Sequence, residues 1–189
     1  GHADTLSFEL SLFGSRFFVN GGTSHYEIGD QRLIERSTSS HNTLEINHEN
    51  SSEVWSSFRV ARRAMPFNLK VSSAGDSVMI CCSHDGYTRL KGSPIHERIW
   101  RFNFRNIVIE DHIKGDFNSA ITRHHLHPNL ELSQRDEYNW TACLSDNEQK
   151  IYIKILDGQA NLGSSVYCPE FGKNIQSSCI EITPAGRSI

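Results

Sequence analysis

The chain has 189 residues, of which 37% are hydrophobic and 22% charged, with a formal charge of −3. That length suffices for one domain with a proper core or at most two small ones, and the composition is that of an ordinary soluble globular protein. The slightly acidic balance argues against a nucleic-acid binder, no apolar run approaches the ~18 residues of a membrane span, and residues 1–20 lack the continuous apolar centre of a signal peptide.

Period-two alternation recurs along the chain, and helical periodicity almost never does. Leu6, Phe8, Leu10 and Leu12 fall on one face, with Ser7, Glu9 and Ser11 on the other. Residues 16–19 continue after a turn at Gly14-Ser15, which makes a hairpin. Residues 21–40, rich in Gly, Ser and Thr, read as the longest irregular stretch, and long loops on a rigid β scaffold tend to carry function. Residues 43–47 and 53–61 alternate again. Residues 67–72 and 77–82 flank a Ser-Ala-Gly-Asp turn. Next, Trp100, Phe102 and Phe104 point one way while Arg101, Asn103 and Arg105 point the other. Asn106 breaks the phase before residues 107–109, and residues 112–115 close the unit. Residues 120–126, 130–133, 140–144, 151–156 and 179–182 read as further strands. A dozen or more short strands with tight turns predict an all-β fold, an antiparallel sandwich or barrel, in a single domain without internal repeats.

The five cysteines lack any CxxC spacing, so neither a zinc knuckle nor a disulfide framework is indicated, although one disulfide would fit the count. Cys82 reads as a small apolar residue within 78–82. The ten histidines offer three groupings. His2 and His41 suit zinc through imidazole nitrogen, with Asn20 or Asp30 positioned as a third ligand. In Arg123-His-His-Leu-His-Pro128, His125 and His127 share a strand face, which suits either a metal or anion site or a hydrogen-bonded strand edge. His84-Asp85-Gly86-Tyr87 reads as a polar turn. Local basic clusters lie at Arg59, Arg62 and Arg63 and at Arg98, Arg101 and Arg105. The first could grip carboxylate or sulfate groups, or be a solvated strand face paired with Glu53 or Asp85. Trp55 and Phe58 nearby suit a sugar-binding surface as well as a core. No phosphate loop or nucleophile elbow is visible.

His2-Ala-Asp-Thr-Leu-Ser-Phe-Glu-Leu10, Val19-Asn-Gly-Gly-Thr23 and Arg36-Ser-Thr-Ser-Ser-His-Asn-Thr43 resemble, in that order, the C-terminal domain of the heparinase II/III-like polysaccharide lyases. Residues 52–63, 125–128 and 167–172 continue the resemblance over nearly the whole chain. It implies that residues 1–189 form a large antiparallel β-sandwich. It further implies that an N-terminal α/α toroid, absent from this chain, completes an active-site cleft in a longer protein. The implied reaction is β-elimination on an acidic, uronic-acid polysaccharide. A base takes the C5 proton, the sugar carboxylate is neutralised, and the C4 oxygen leaves protonated.

Carried over by position, His2, Asn20 and His41 match the three residues that hold zinc in the family. Asn20 stands where an acid is expected, and a neutral amide is the poorer ligand, so weaker zinc or none is implied. The family's histidine nearest the substrate would immediately precede Gly1. Tyr26 matches a sandwich-domain tyrosine that reaches the active site, or else packs over the sandwich. Arg36, Arg59 and Arg63 are the positions expected to hold substrate. The isolated chain is expected to be inactive or nearly so. The resemblance also suggests a periplasmic or cell-envelope location in a bacterium, and self-association is open. A non-catalytic carbohydrate-binding or scaffolding module is the alternative, favoured by Asn20, and a stand-alone metal enzyme centred on His125 and His127 is a third.

Overall fold

The alternation resolves into fifteen strands among the described residues of the computed structural model, which describes residues 1–144 and 149–185. Strands β1 (Leu10–Leu12) and β2 (Ser15–Phe18) form a hairpin. Its turn residues Phe13 and Gly14 sit at φ 53° and 82°, the left-handed pair that matches strand twist in a two-residue turn. Strand β3 (Leu44–Ile46) follows, then the short hairpin β4 (Val54–Trp55) and β5 (Arg59–Val60). A meander comes next: β6 (Pro66–Ala74), β7 (Ser77–His84), β8 (Ile95–Phe102) and β9 (Ile107–Lys114), paired in that order. Beyond it lie β10 (Ala120–His125), β11 (Leu130–Gln134), β12 (Asn139–Leu144), β13 (Lys150–Lys154), β14 (Gln159–Tyr167) and β15 (Ile175–Thr183).

The central sheet runs β14-β15-β10-β3, every pair antiparallel. The end of β2 joins it through a Phe18–Leu126 bridge and the Val19 N–H to His125 carbonyl bond of 2.9 Å. Its inner face supplies Leu126, Ala160 and Ile180, which pack against Phe17 and Phe18 and against Trp140, Ala142 and Leu144 of the β11-β12-β13 sheet. Each large side chain so buried stabilises the fold by roughly 1.5–3 kcal/mol. A second cluster gathers Leu44, Ile46, Tyr87, Phe117 and Ala120. The result is the antiparallel sandwich that the alternation and the resemblance foretold.

The meander meets this body through buried polar groups. Asp111 accepts from Arg98 Nε at 2.7 Å and Nη2 at 2.8 Å, from His96 Nε2 at 2.7 Å and from Thr122 Oγ1 at 2.8 Å. Arg98 Nη1 donates to the carbonyls of Leu6 at 2.9 Å and Asn42 at 2.5 Å. The Gly86 N–H meets His84 Nδ1 at 3.1 Å, so His84 donates from Nε2 to His96 Nδ1 at 3.0 Å. Burial alone would raise the Asp111 pKa, but the Arg98 charge and the His96 bond hold it well below the usual carboxylate range.

Five expectations need correcting. Residues 6–9 are not strand, because the Ser7 hydroxyl bonds Asn20 at 2.7 Å and the Phe8 carbonyl takes the Asn42 amide at 2.8 Å in place of a ladder. Residues 53–61 are two short strands around a tight turn with Ser56 at φ 53°, not one strand. The chain between residues 156 and 179 contains the nine-residue strand β14, whose small and polar side chains conceal it. His84 and Arg98 are fully buried: the first is the last residue of β7, with the chain turning just after it at 85–89, and the second is no part of a basic surface. Finally, residues 21–40 contain a helix, described next. All five cysteines are free thiols.

Candidate functional site

Helix α1 (Asp30–Arg36) is built inside out. Arg32, Glu35 and Arg36 are buried, whereas Leu33 and Ile34 are 38% and 55% exposed. Arg32 and Glu35 pair at 3.6 Å, and each also finds hydrogen-bond partners in the neighbouring loops. Glu35 accepts from the Ser24 N–H at 3.1 Å and from the Ser24 hydroxyl. Burial would raise its pKa, but these bonds lower it. Arg32 donates to the Ser57 carbonyl at 3.3 Å and to Thr23 Oγ1 at 3.2 Å.

Arg36, expected to hold substrate, is wholly buried and spends its five guanidinium N–H groups on main-chain carbonyls. Nε and Nη2 reach Gly1 at 3.0 and 2.8 Å, Nη1 reaches Trp55 and Ser56 at 3.1 and 2.6 Å, and Nη2 also reaches Arg59 at 2.9 Å. It is a strut between the first residues and the β4-β5 hairpin, with no donor left for a ligand. The same segment is pinned by the Ala3 N–H to Arg36 carbonyl bond of 2.9 Å and by Thr38 Oγ1 on the Ala3 carbonyl at 2.8 Å.

That anchoring delivers His2 to His41. His2 Nδ1 lies 3.2 Å from His41 Nε2, and His41 Nδ1 lies 3.2 Å from Asn20 Oδ1. Three segments far apart in sequence thus converge, as their match to one motif suggested. His41 is 3% exposed, and burial, then His2 and His125, lower its pKa to about 3. Burial also lowers the pKa of His2, and the nearby charge of Arg32 adds to the effect. Asp30, the other candidate third ligand, is exposed at the start of α1.

Zinc fits this cluster incompletely. Two ring nitrogens 3.2 Å apart match the separation of two ligands on one tetrahedral zinc, given Zn–N bonds of about 2.0–2.1 Å. The third residue does not match. The Asn20 oxygen faces the other nitrogen of His41, across the ring from His2, and already accepts from the Ser7 hydroxyl at 2.7 Å and the Asn42 N–H at 3.3 Å. Among the described residues, no three His, Cys, Asp or Glu side chains gather to hold a metal ion.

Tyr26 lies between two other exposed rings, with centroids 5.4 Å from both Phe58 and Phe171, and Arg32 sits 5.3 Å from its ring. The three rings are 53%, 60% and 64% exposed. Tertiary folding assembles this surface from three loops; sequence reading assigned no role to Arg32 or to Phe171, although Phe171 lies in the 167–172 segment of the resemblance, because nothing local places that segment beside Tyr26. Arg59 and Arg63 are exposed, with the Arg59 guanidinium 4.7 Å from the Trp55 ring centroid.

His125 and His127 do not form a metal pair. The His125 Nε2–H donates to the Ser39 carbonyl at 3.0 Å and Nδ1 accepts from Ser165 Oγ at 2.6 Å, so both its nitrogens are used. The His127 ring sits edge-on to Tyr167 at 5.3 Å. His125 also lines a cavity of about 370 Å³ between α1 and the outer face of the central sheet, together with Glu35, Arg123, Ser165 and Glu181.

The profile described as "Heparinase II/III-like, C-terminal" matches residues 1–188. Among solved structures, a heparinase III gene product superposes with TM-score 0.73 at 14% identity, covering 96% of this chain and 28% of its own. The heparan sulfate lyase HepC from Pedobacter heparinus gives 0.66 at 16% identity, covering 98% and 29%. The chain therefore spans under a third of the length of these structures. No curated protein matches it.

Proposed function

Because this chain belongs to the heparinase II/III-like C-terminal domain family, we propose that it is the sandwich portion of a lyase that cleaves an acidic, uronic-acid polysaccharide by β-elimination. The observation that carries this reading is the convergence of His2, His41 and Asn20 from three distant segments of the family motif. The exposed rings of Tyr26, Phe58 and Phe171 add support, since sugar rings stack on such surfaces. In this reading a toroid domain of the same protein completes the cleft, and exposed Arg59 and Arg63 neutralise substrate carboxylates. Tyr26 lends its hydroxyl as a proton donor or acceptor. The location is the bacterial periplasm or envelope. This chain alone turns over little or nothing, because half of the cleft lies in the toroid.

The test is to incubate the full-length protein with alginate, heparan sulfate and other uronans while following the ultraviolet absorbance of the new double bond. Growth of that band on at least one uronan is expected. A flat trace on every uronan would remove the lyase reading.

Asn20 at an acidic position favours a second reading, a carbohydrate-binding module without turnover. It predicts retention on a uronan column with no absorbance change. Both readings predict that Phe58→Ala or Phe171→Ala weakens glycan affinity about tenfold each, roughly the loss of one good stacking contact. Because both rings are exposed, melting temperature should barely move.

A further inference from the structure

We propose that Asn20 makes the His2–His41 cluster a metal-free hydrogen-bonded relay, in which both histidines are held with the proton on Nδ1. The contacts leave one assignment. The Asn42 backbone N–H, which can only donate, is shared between Ser7 Oγ at 3.1 Å and the Asn20 atom that faces it at 3.3 Å, and it supports the amide oxygen there. The other end of the amide, Nδ2, donates to Glu9 Oε1 at 3.3 Å. His41 Nδ1 meets the same amide oxygen at 3.2 Å and therefore carries its ring proton. A buried neutral imidazole carries one proton, so His41 Nε2 is bare and accepts from His2 Nδ1–H at 3.2 Å. The bare nitrogen at the end of the relay is Nε2 of His2, on a ring that is only half-buried. Asn20 is thus a positioning residue: it acts on His2 through His41.

A zinc ion between the two rings would require His2 to surrender its Nδ1 proton and a third donor on that side of His41. Asn20 lies on the opposite side, committed to three donors. The half-exposed Glu9 side chain favours an amide here. A carboxylate at position 20 would face the Glu9 carboxylate with no proton between them, whereas the amide offers one.

Free neutral histidine prefers the proton on Nε2, so two Nδ1–H histidines are a distinctive signature. The experiment is nitrogen-15 NMR of the histidine rings in the chain at about pH 8, where exposed histidines are neutral, with elemental analysis after dialysis against zinc. The expected result is Nδ1–H for His2 and His41, no stoichiometric zinc, and a return of His41 to Nε2–H in Asn20→Ala. A purely structural Asn20 would lower the melting temperature of that variant without moving the proton. Nε2–H rings in the unsubstituted chain, or one zinc per chain that is lost in His41→Ala, would overturn the proposal. Both of those readings come from chains that do not depend on Asn20→Ala folding.

Discussion

Lowering the pH from about 7.5 to about 5 is expected to remove most of the domain's stability. His41, His84, His124 and His125 are buried and neutral, with pKa values brought down to about 3, 3, 3 and 4. Burial is the leading cause in each. The facing charges differ: His2 and His125 around His41; His96, Arg98 and Asp111 around His84; Arg98, Asp111 and His125 around His124. At His125 the bond to the Ser39 carbonyl partly opposes the effect.

The sign follows from linkage. Unfolding returns each ring to an ordinary pKa near 6.5, so below that pH the unfolded chain binds more protons and stability falls as pH falls. The window runs from about 6.5 down to the folded-state values. At about pH 5 each ring accounts for roughly 2 kcal/mol, or about 8 kcal/mol for the four, against a typical total of about 5–15 kcal/mol. Asp111 and Glu35, whose pKa values are held low, extend the loss to still lower pH. Urea titrations at stepped pH would measure this. A midpoint that stayed level between about pH 7.5 and about pH 5 would show that these rings are not buried neutral.

Replacing Arg36 with methionine is expected to destabilise the domain by at least about 4 kcal/mol. The methionine stem fills the space, but the carbonyls of Gly1, Trp55, Ser56 and Arg59 lose their donors together. The guanidinium that spans them is fully buried, and each carbonyl left unpaired beside it costs about 1–3 kcal/mol. Arg36→Lys should fall between, because an ammonium offers three donors from one point and cannot span the four carbonyls. Melting temperature and glycan affinity, measured on the same variants, separate a strut from a substrate contact. Unchanged melting with weakened glycan binding would restore Arg36 to the substrate.

Arg36 and Asn20 mark the limit of what motifs convey. The motif identifies both as positions that matter. It does not say that the Arg36 guanidinium turns inward to main-chain carbonyls, or that Asn20 sits behind His41 instead of beside it. Those directions depend on where residues 1–4, 53–61 and Glu9 come to rest, and nothing near positions 20 or 36 encodes that. Helix α1 shows the same limit for secondary structure. Periodicity detects a helix by its apolar stripe, and this one buries Arg32, Glu35 and Arg36 while exposing Ile34. Strand β14 escapes for a related reason, since Gly163, Ser164 and Ser165 carry no apolar alternation.

By itself the sequence determined the antiparallel β class, because side-chain alternation at period two is a local consequence of strand geometry. It also determined which segments belong to the family motif, and so which residues could meet. Only the tertiary structure decided which of them do. His2, Asn20 and His41 come together, Tyr26 joins Phe58 and Phe171, and His84, His96 and Arg98 disappear into the core, with Asp111 bonded to the last two. The physical reason is that a buried polar group must find partners, and those partners come from whatever backbone the fold places beside it.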